Sequence, residues 1–283
     1  MVFFVIEYDI IKDMNLLLFV FVFLLGTVVG SFLNVVIYRF NTGKTIVKGR
    51  SICMTCNKNL RWYELIPVFS FLIQSGRCRR CASRISHQYP LVEVITGIVF
   101  ALIAFKFLPI LYISYWTYVL LVVFFVFIFS LLIVVSVYDL RHKIIPDKLV
   151  YTFISVSFLS MFINYSGIGS LFVLPLPSAI IAGPLISLPF VLLWYFSRGK
   201  LMGLGDGKLI WGIGWMFGLA SGLCVVVMSF WIGTVISLFL IFISKKRVNM
   251  KTEIPFAPFL IISIFITFFF GLDIYSLVAL FSI

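Results

Sequence analysis

The sequence predicts an all-α polytopic membrane protein of about eight transmembrane helices, with one small segment outside the bilayer that four cysteines organise. Composition is the first reason. Of 283 residues 63% are hydrophobic, 18% aromatic and only 11% charged, too little polar surface to wrap a water-soluble globule. The second reason is that apolar runs long enough to cross a hydrocarbon core recur along the chain, and lipid obliges each to satisfy its backbone internally as a helix. The third is where the charge lies. With spans near 14–38, 90–109, 115–137, 149–165, 177–197, 208–221, 223–243 and 257–281, the loops of one face hold the bases from Lys44 to Arg84, then Arg141, Lys143, Lys148, Arg198, Lys200, Lys208, Lys245, Lys246, Arg247 and Lys251. The other face keeps Lys12 and Lys106. The positive-inside rule then puts the basic loops in the cytoplasm and both termini outside, which explains the net charge of +12 without nucleic acid.

The first run, from Leu16, follows mostly acidic charges (Glu7, Asp9, Lys12, Asp13) and no small-residue cleavage site, so it reads as a retained span and not a signal peptide. At its end, Gly30-Ser31-Phe32-Leu33-Asn34 and Tyr38-Arg39 place small and polar residues in an apolar helix, a pattern that favours close helix packing over ligand contact. Residues 41–89 form the only substantial segment outside the bilayer. They carry Cys53-Met54-Thr55-Cys56 and Cys78-Arg79-Arg80-Cys81, two CxxC pairs that together offer four thiolates. That spacing predicts a zinc-ribbon-like site holding structural Zn²⁺, closed to catalysis because no coordination position is left open. The reducing cytoplasm argues against disulfides, and a metal would supply folding energy that so short a segment lacks. Cys224 falls within a span and reads as a small buried hydrophobe.

Tyr89-Pro90-Leu91-Val92-Glu93 opens the second span. It leaves Glu93 at the membrane boundary, either as a functional acid or as the partner of a loop arginine. The third span ends at Asp139, an acid at the negative end of a helix dipole. Pro146 stops the chain beyond it and Asp147 is placed to cap the fourth helix, a structural duty. His142, between Arg141 and Lys143, reads as part of a solvated basic loop. Residues 166–178 read as an outer loop, and Pro255-Phe256-Ala257-Pro258-Phe259 opens the last span, where two prolines either line a site or bend a helix.

Gly203-Leu204-Gly205-Asp206-Gly207-Lys208 sets a carboxylate between glycines, amid apolar segments and at the same cytoplasmic edge as Asp139. If the two carboxyl groups come within a few ångströms, repulsion leaves one protonated while the other is ionised. The ionised group can take a proton from water and the protonated one can polarise a peptide carbonyl, which is aspartic-protease chemistry without a metal. The bland alternative pairs these acids with Lys143 and Lys208.

Taken in order, these motifs, with Leu60-Arg61-Trp62-Tyr63, Ile66-Pro67, Asp139-Leu140-Arg141 and Ile145-Pro146-Asp147, resemble the type IV prepilin peptidases, bifunctional leader peptidases and N-methyltransferases, over nearly the whole chain. The chain departs from that pattern at Glu64, where aspartate is usual, and at Asn41, where proline is common. The resemblance implies catalytic aspartates Asp139 and Asp206, and a type IV pilin-like precursor as substrate, cut after a short basic leader. It also implies N-methylation of the new terminus from S-adenosylmethionine, for which Gly30, Asn34, Arg39 and Glu93 are the candidates. By the same resemblance the chain divides into a first transmembrane helix (1–40), a zinc-binding segment associated with methyl transfer (41–89) and a membrane peptidase domain (90–283), set in a bacterial cytoplasmic membrane.

Two other readings fit fewer residues. A presenilin-like or signal-peptide-peptidase-like protease would use the same acids, but its Pro-Ala-Leu signature is absent and the cysteine segment has no place in it. A transporter coupling through interfacial acids would hold them nearer the midplane.

Overall fold

The computed structural model describes residues 2–43, 45–47, 49–164, 171–243 and 255–281. The expectations placed on Lys44, Lys245, Lys246, Arg247, Lys251, Ile254 and residues 166–170 lie outside them. Among the described residues the regular structure is helical: α1 (Val2–Arg39), α2 (Phe69–Ile73), α3 (Gln88–Lys106), α4 (Leu108–Leu111), α5 (Tyr115–His142), α6 (Asp147–Ser160), α7 (Pro177–Ser197), α8 (Leu204–Ile243), α9 (Ala257–Phe270) and α10 (Ile274–Phe281), with a 3₁₀ turn at Trp62–Glu64. Among the described residues, five stretches are long and apolar enough to cross a membrane: Leu16–Arg39, Gln88–Lys106, Tyr115–His142, Pro177–Ser197 and Leu204–Phe239. α6 and α9, 14 residues each, are about 21 Å long at helical rise, short of a ~30 Å core.

Two compact units divide within α5, one covering Met1–Ser130 and the other Leu131–Ile283. In the first, α1 and α3 run antiparallel: a β-carbon on Gly26 would stand 2.8 Å from Gly97 Cα, and one on Gly30 would stand 2.8 Å from Glu93 Cα. Small residues spaced four apart let these backbones meet, as the packing reading of Gly30 expected. The cysteine segment therefore leaves and re-enters at one end of a tight hairpin.

In the second unit, Gly212 and Gly214 serve the same end. β-carbons there would stand 2.5 Å from the Phe153 ring of α6 and 2.6 Å from Gly183 Cα of α7, so α8 is held between two neighbours only because both positions lack side chains. The sixth and seventh runs are two helical stretches of α8, as expected, parted at Gly218 (φ 74, ψ −174), a backbone state that glycine alone adopts without strain. The final run, expected to be continuous to 281, divides instead. Gly271 (φ 63) ends α9 and Asp273 starts α10, accepting the Ser276 N–H at 2.7 Å.

Candidate functional site

Within the second unit, Asp139 sits in the last turn of α5 and Asp206 in the first turn of α8. Both are buried, at 4% and 9% exposure, and Asp206 lies close enough to feel the charge of Asp139. Asp139 is at the unfavourable end of its own helix dipole, and α9 compensates: the Ala257 N–H, at the start of that helix, donates to the Asp139 carboxylate. The proline motif is thus part of the site. Proline at the second position of α9 costs no helical bond, and the neighbouring first amide is left to face the acid. Asp206 has a helix N-terminus of its own. One oxygen of each carboxylate, Asp139 Oδ2 and Asp206 Oδ1, has no hydrogen-bond partner among the described residues. Two buried carboxyl groups, each with an oxygen that no described protein group occupies, can share a proton and hold a polar third party.

Lys208 does not neutralise this pair. Its Nζ lies 2.6 Å from Asp147 Oδ1 and 4.8 Å from the Tyr151 ring centroid, both on α6. Asp147 differs from expectation in its means. It is the first residue of α6, the cap position belongs to Pro146, and its side chain makes no cap. Its negative charge suits the first turn and binds α6 to α8, so the duty is structural all the same. Gly205 is tied to the loop after α5, because a β-carbon there would meet Ile145 Cβ at 2.9 Å. His142 is exposed and its ring lies tilted against that of Tyr138, with centroids 4.4 Å apart.

In the first unit the four sulfurs of Cys53, Cys56, Cys78 and Cys81 all lie within 4.8 Å of one another. Cys53 Sγ and Cys81 Sγ are 3.8 Å apart, about the edge of a tetrahedron with Zn–S bonds of ~2.3 Å. The two CxxC turns are built alike. Cys53 N–H bonds Lys58 O and Asn57 N–H bonds Cys53 O, at 3.0 and 2.9 Å; Cys78 N–H bonds Ser83 O and Ala82 N–H bonds Cys78 O, both at 2.9 Å. The residue after each second cysteine, Asn57 or Ala82, takes positive φ, which turns the amides inward. Backbone N–H groups of Cys56 and Thr55 lower the Cys53 thiol to about 6, and the Ser83 hydroxyl lowers Cys81. The donor set fits Zn²⁺ and the cysteines are free of disulfides. Cys224 is buried, as expected of a small hydrophobe.

Of the four candidates for methyl transfer, three converge. Gly30 packs on the α3 backbone at Glu93. Asn34 Nδ2 donates to Tyr89 O at 3.1 Å, one turn before Glu93, while its buried Oδ1 has no partner among the described residues. Glu93 pairs with no arginine among the described residues. Its Oε2 accepts the Val68 N–H at 2.8 Å, and the Ser31 hydroxyl lies beside the carboxylate. Val68, held at φ 61, was invisible as a site residue because its contribution is an amide. Arg39 turns instead to its own loop, donating to Thr45 O at 2.9 Å and Arg50 O at 3.1 Å.

Residues 24–107 match the family described as Bacterial Peptidase A24 N-terminal domain. Residues 126–274, more than half the chain, match the Type IV leader peptidase family. A prepilin leader peptidase/N-methyltransferase of Vibrio cholerae is 31% identical over 262 residues, covering 87% of this chain and 94% of the relative. One of Bacillus subtilis is 29% identical over 265 residues, covering 90% and 95%. One of Myxococcus xanthus is 44% identical over 127 residues, 45% of this chain, a match that spans 35% of the relative's length. No solved structure matches the chain. Helices that can cross a membrane, two buried aspartates and a four-cysteine cluster thus accompany matches along most of its length, and the chain belongs to the type IV leader peptidase family.

Proposed function

We propose that this protein removes the basic leader from type IV pilin-like precursors at the cytoplasmic face of the bacterial cytoplasmic membrane, with Asp139 and Asp206 as the catalytic pair, and then N-methylates the new terminal residue. The observation that carries the peptidase reading is the mutual placement of the two buried carboxyl groups, each with one unpartnered oxygen. Water held between them loses a proton to the ionised carboxylate as its oxygen bonds to the scissile carbonyl carbon. The protonated partner gives its proton to the carbonyl oxygen. Collapse of the resulting diol breaks the C–N bond. The departing nitrogen takes the proton that water gave up, and the re-forming carbonyl returns the other. One water is consumed and the pair ends as it began, with a single proton titrating as a joint property.

S-adenosylmethionine is the methyl donor in this reading, and when bound it supplies an electrophilic methyl on a sulfonium. Gly30, Asn34 and Glu93 would hold the donor beside the new α-amine, which would be the methyl acceptor, with its surplus proton passing to solvent. An α-amine of pKa ~8 needs little help to lose its first proton. Glu93 and the bare Asn34 Oδ1 support the assignment, since both are acceptors suited to cationic groups, with Gly30 giving close access. Arg39 belongs here as the residue that shapes the adjoining loop. Cys53, Cys56, Cys78 and Cys81 hold one structural Zn²⁺, and the division of labour follows the chain: methyl transfer in the part carrying residues 41–89, peptide cleavage in the part carrying Asp139 and Asp206.

The test is a mass spectrum of a pilin-like precursor after incubation with membranes containing the protein. Loss of the leader and gain of one methyl group are expected; an intact precursor sinks the proposal.

A further inference from the structure

The segment between α1 and α3 carries on its outside what a water-exposed loop would hide. Trp62 is 78% exposed and Ile73 71%, and Leu65, Ile66, Phe69 and Leu72 are exposed with them. Phe69, Leu72 and Ile73 stand at i, i+3 and i+4 of α2 and so share one face. Apolar residues gathered in one short stretch mark an interaction surface, where single ones would not.

Positive charge accompanies this surface. Arg61, Arg77, Arg79, Arg80 and Arg84 are all exposed, while the acid of the stretch, Glu64, is engaged by the Arg61 N–H at 2.7 Å. The two features are joined through Tyr63. The guanidinium of Arg61 lies 5.9 Å from its ring centroid and that of Arg79 5.2 Å, and Trp62 meets its edge at 5.7 Å. The second cysteine turn and the aromatic turn are therefore one basic and apolar surface. Both ends of the segment are pinned at the same end of the α1/α3 hairpin, where Asn34 reaches Tyr89, so it stays within a short reach of the membrane plane.

We propose that Trp62, Phe69, Leu72 and Ile73 lie in the headgroup region of the protein's own bilayer, with Arg77, Arg79 and Arg80 binding anionic phospholipid headgroups. Tryptophan is enriched at that boundary, and a cluster of arginines attracts anionic lipid at distances within a Debye length. The cysteine segment then rests on the lipid surface. Charge complementarity selects lipid as the occupant over an apolar helix of a precursor or a second copy of the chain, neither of which calls for the arginines.

The full chain carrying Leu72→p-benzoylphenylalanine is reconstituted in phosphatidylcholine vesicles with and without phosphatidylglycerol, and irradiated with no precursor present. The expected product is a phospholipid adduct in which phosphatidylglycerol exceeds its share of the bilayer several-fold. That excess disappears in the same chain with Arg79→Gln and Arg80→Gln. Absence of a phospholipid adduct, a crosslink to a second copy, or displacement of the lipid adduct by added precursor overturns the proposal, and an excess that survives both arginine changes overturns its electrostatic half. A second measurement covers the case in which the Leu72 variant does not insert. In bilayers of brominated lipid, the emission of Trp62, taken as the difference between the native protein and Trp62→Phe, is quenched. An unquenched Trp62 overturns the proposal.

Discussion

Lys208 is paired with Asp147 at 2.6 Å, and Asp206, two residues earlier on the same helix, keeps a buried oxygen with no partner. The cation closest in sequence to that acid is thus spent on a neighbouring helix, and Asp206 lies within reach of the Asp139 charge without it. The bland pairing of Asp206 with Lys208 does not occur.

The Asp147–Lys208 pair is expected to matter little to chemistry. The Asp147 side chain is 64% exposed, and exposed ion pairs are worth at most about 1 kcal/mol. Asp147→Asn is expected to lower the midpoint of thermal unfolding by a few degrees at most and to keep cleavage within about tenfold of the native rate. A loss of activity as deep as that of an Asp206 variant would move Asp147 into the reacting pair.

Gly205 has a steric duty that a single pair of changes can expose. Gly205→Ala places a β-carbon against Ile145, and overpacking of this kind costs about 1–3 kcal/mol. Precursor cleavage is expected to fall by about tenfold or more while the protein still inserts. Adding Ile145→Ala should recover part of that loss; failure of the second change to help would show that the glycine serves something other than clearance.

The cysteine turns titrate in a way that can be measured. Amides of Cys56 and Thr55 lower the Cys53 thiol to about 6, so the thiolate fraction rises as pH climbs through that value and is the majority form at neutral pH. In metal-depleted membranes, alkylation of Cys53 is expected to show a midpoint near pH 6, and Zn²⁺ should block it. A midpoint near that of an ordinary thiol, about 8.5, would contradict the amide geometry, and metal analysis of the purified chain finding no zinc would end the structural-metal assignment.

Glu93 is expected to separate the two activities. Glu93→Gln retains an oxygen to accept the Val68 N–H but removes the negative charge. Methyl transfer is expected to fall by about 10²-fold or more, while leader cleavage changes by no more than a few-fold. Equal losses in both, read from one product mass spectrum, would make Glu93 a structural group.

Much of this was legible in the chain because it is written in side chains. Two CxxC pairs declare four thiolates, and an aspartate among glycines inside an apolar stretch declares itself by its cost. What stayed hidden was contributed by backbone. The Ala257 N–H that reaches Asp139 and the Val68 N–H that reaches Glu93 have no side-chain signature; the prolines around Ala257 hinted at the first only as an alternative to a bend. The choice of Lys208 between Asp147 and Asp206 depends on where α6 lies, which no local pattern reports. The break near Gly218 was legible as a change of span in a glycine-rich run, whereas the break at Gly271 was not, since glycine in an apolar run serves close packing, as Gly214 does, as readily as it serves a turn.

The proposed leader cleavage requires one proton shared by two carboxyl groups. Asp139→Asn and Asp206→Asn keep size and remove that chemistry, so the decisive measurement is the mass of precursor after incubation with each, alongside a chemically pre-cleaved pilin-like peptide. Cleavage is expected to fall by about 10²–10⁴-fold or more in both, no further in the double variant, while the pre-cleaved peptide is still methylated. Cleavage at a near-native rate by either variant would contradict the account.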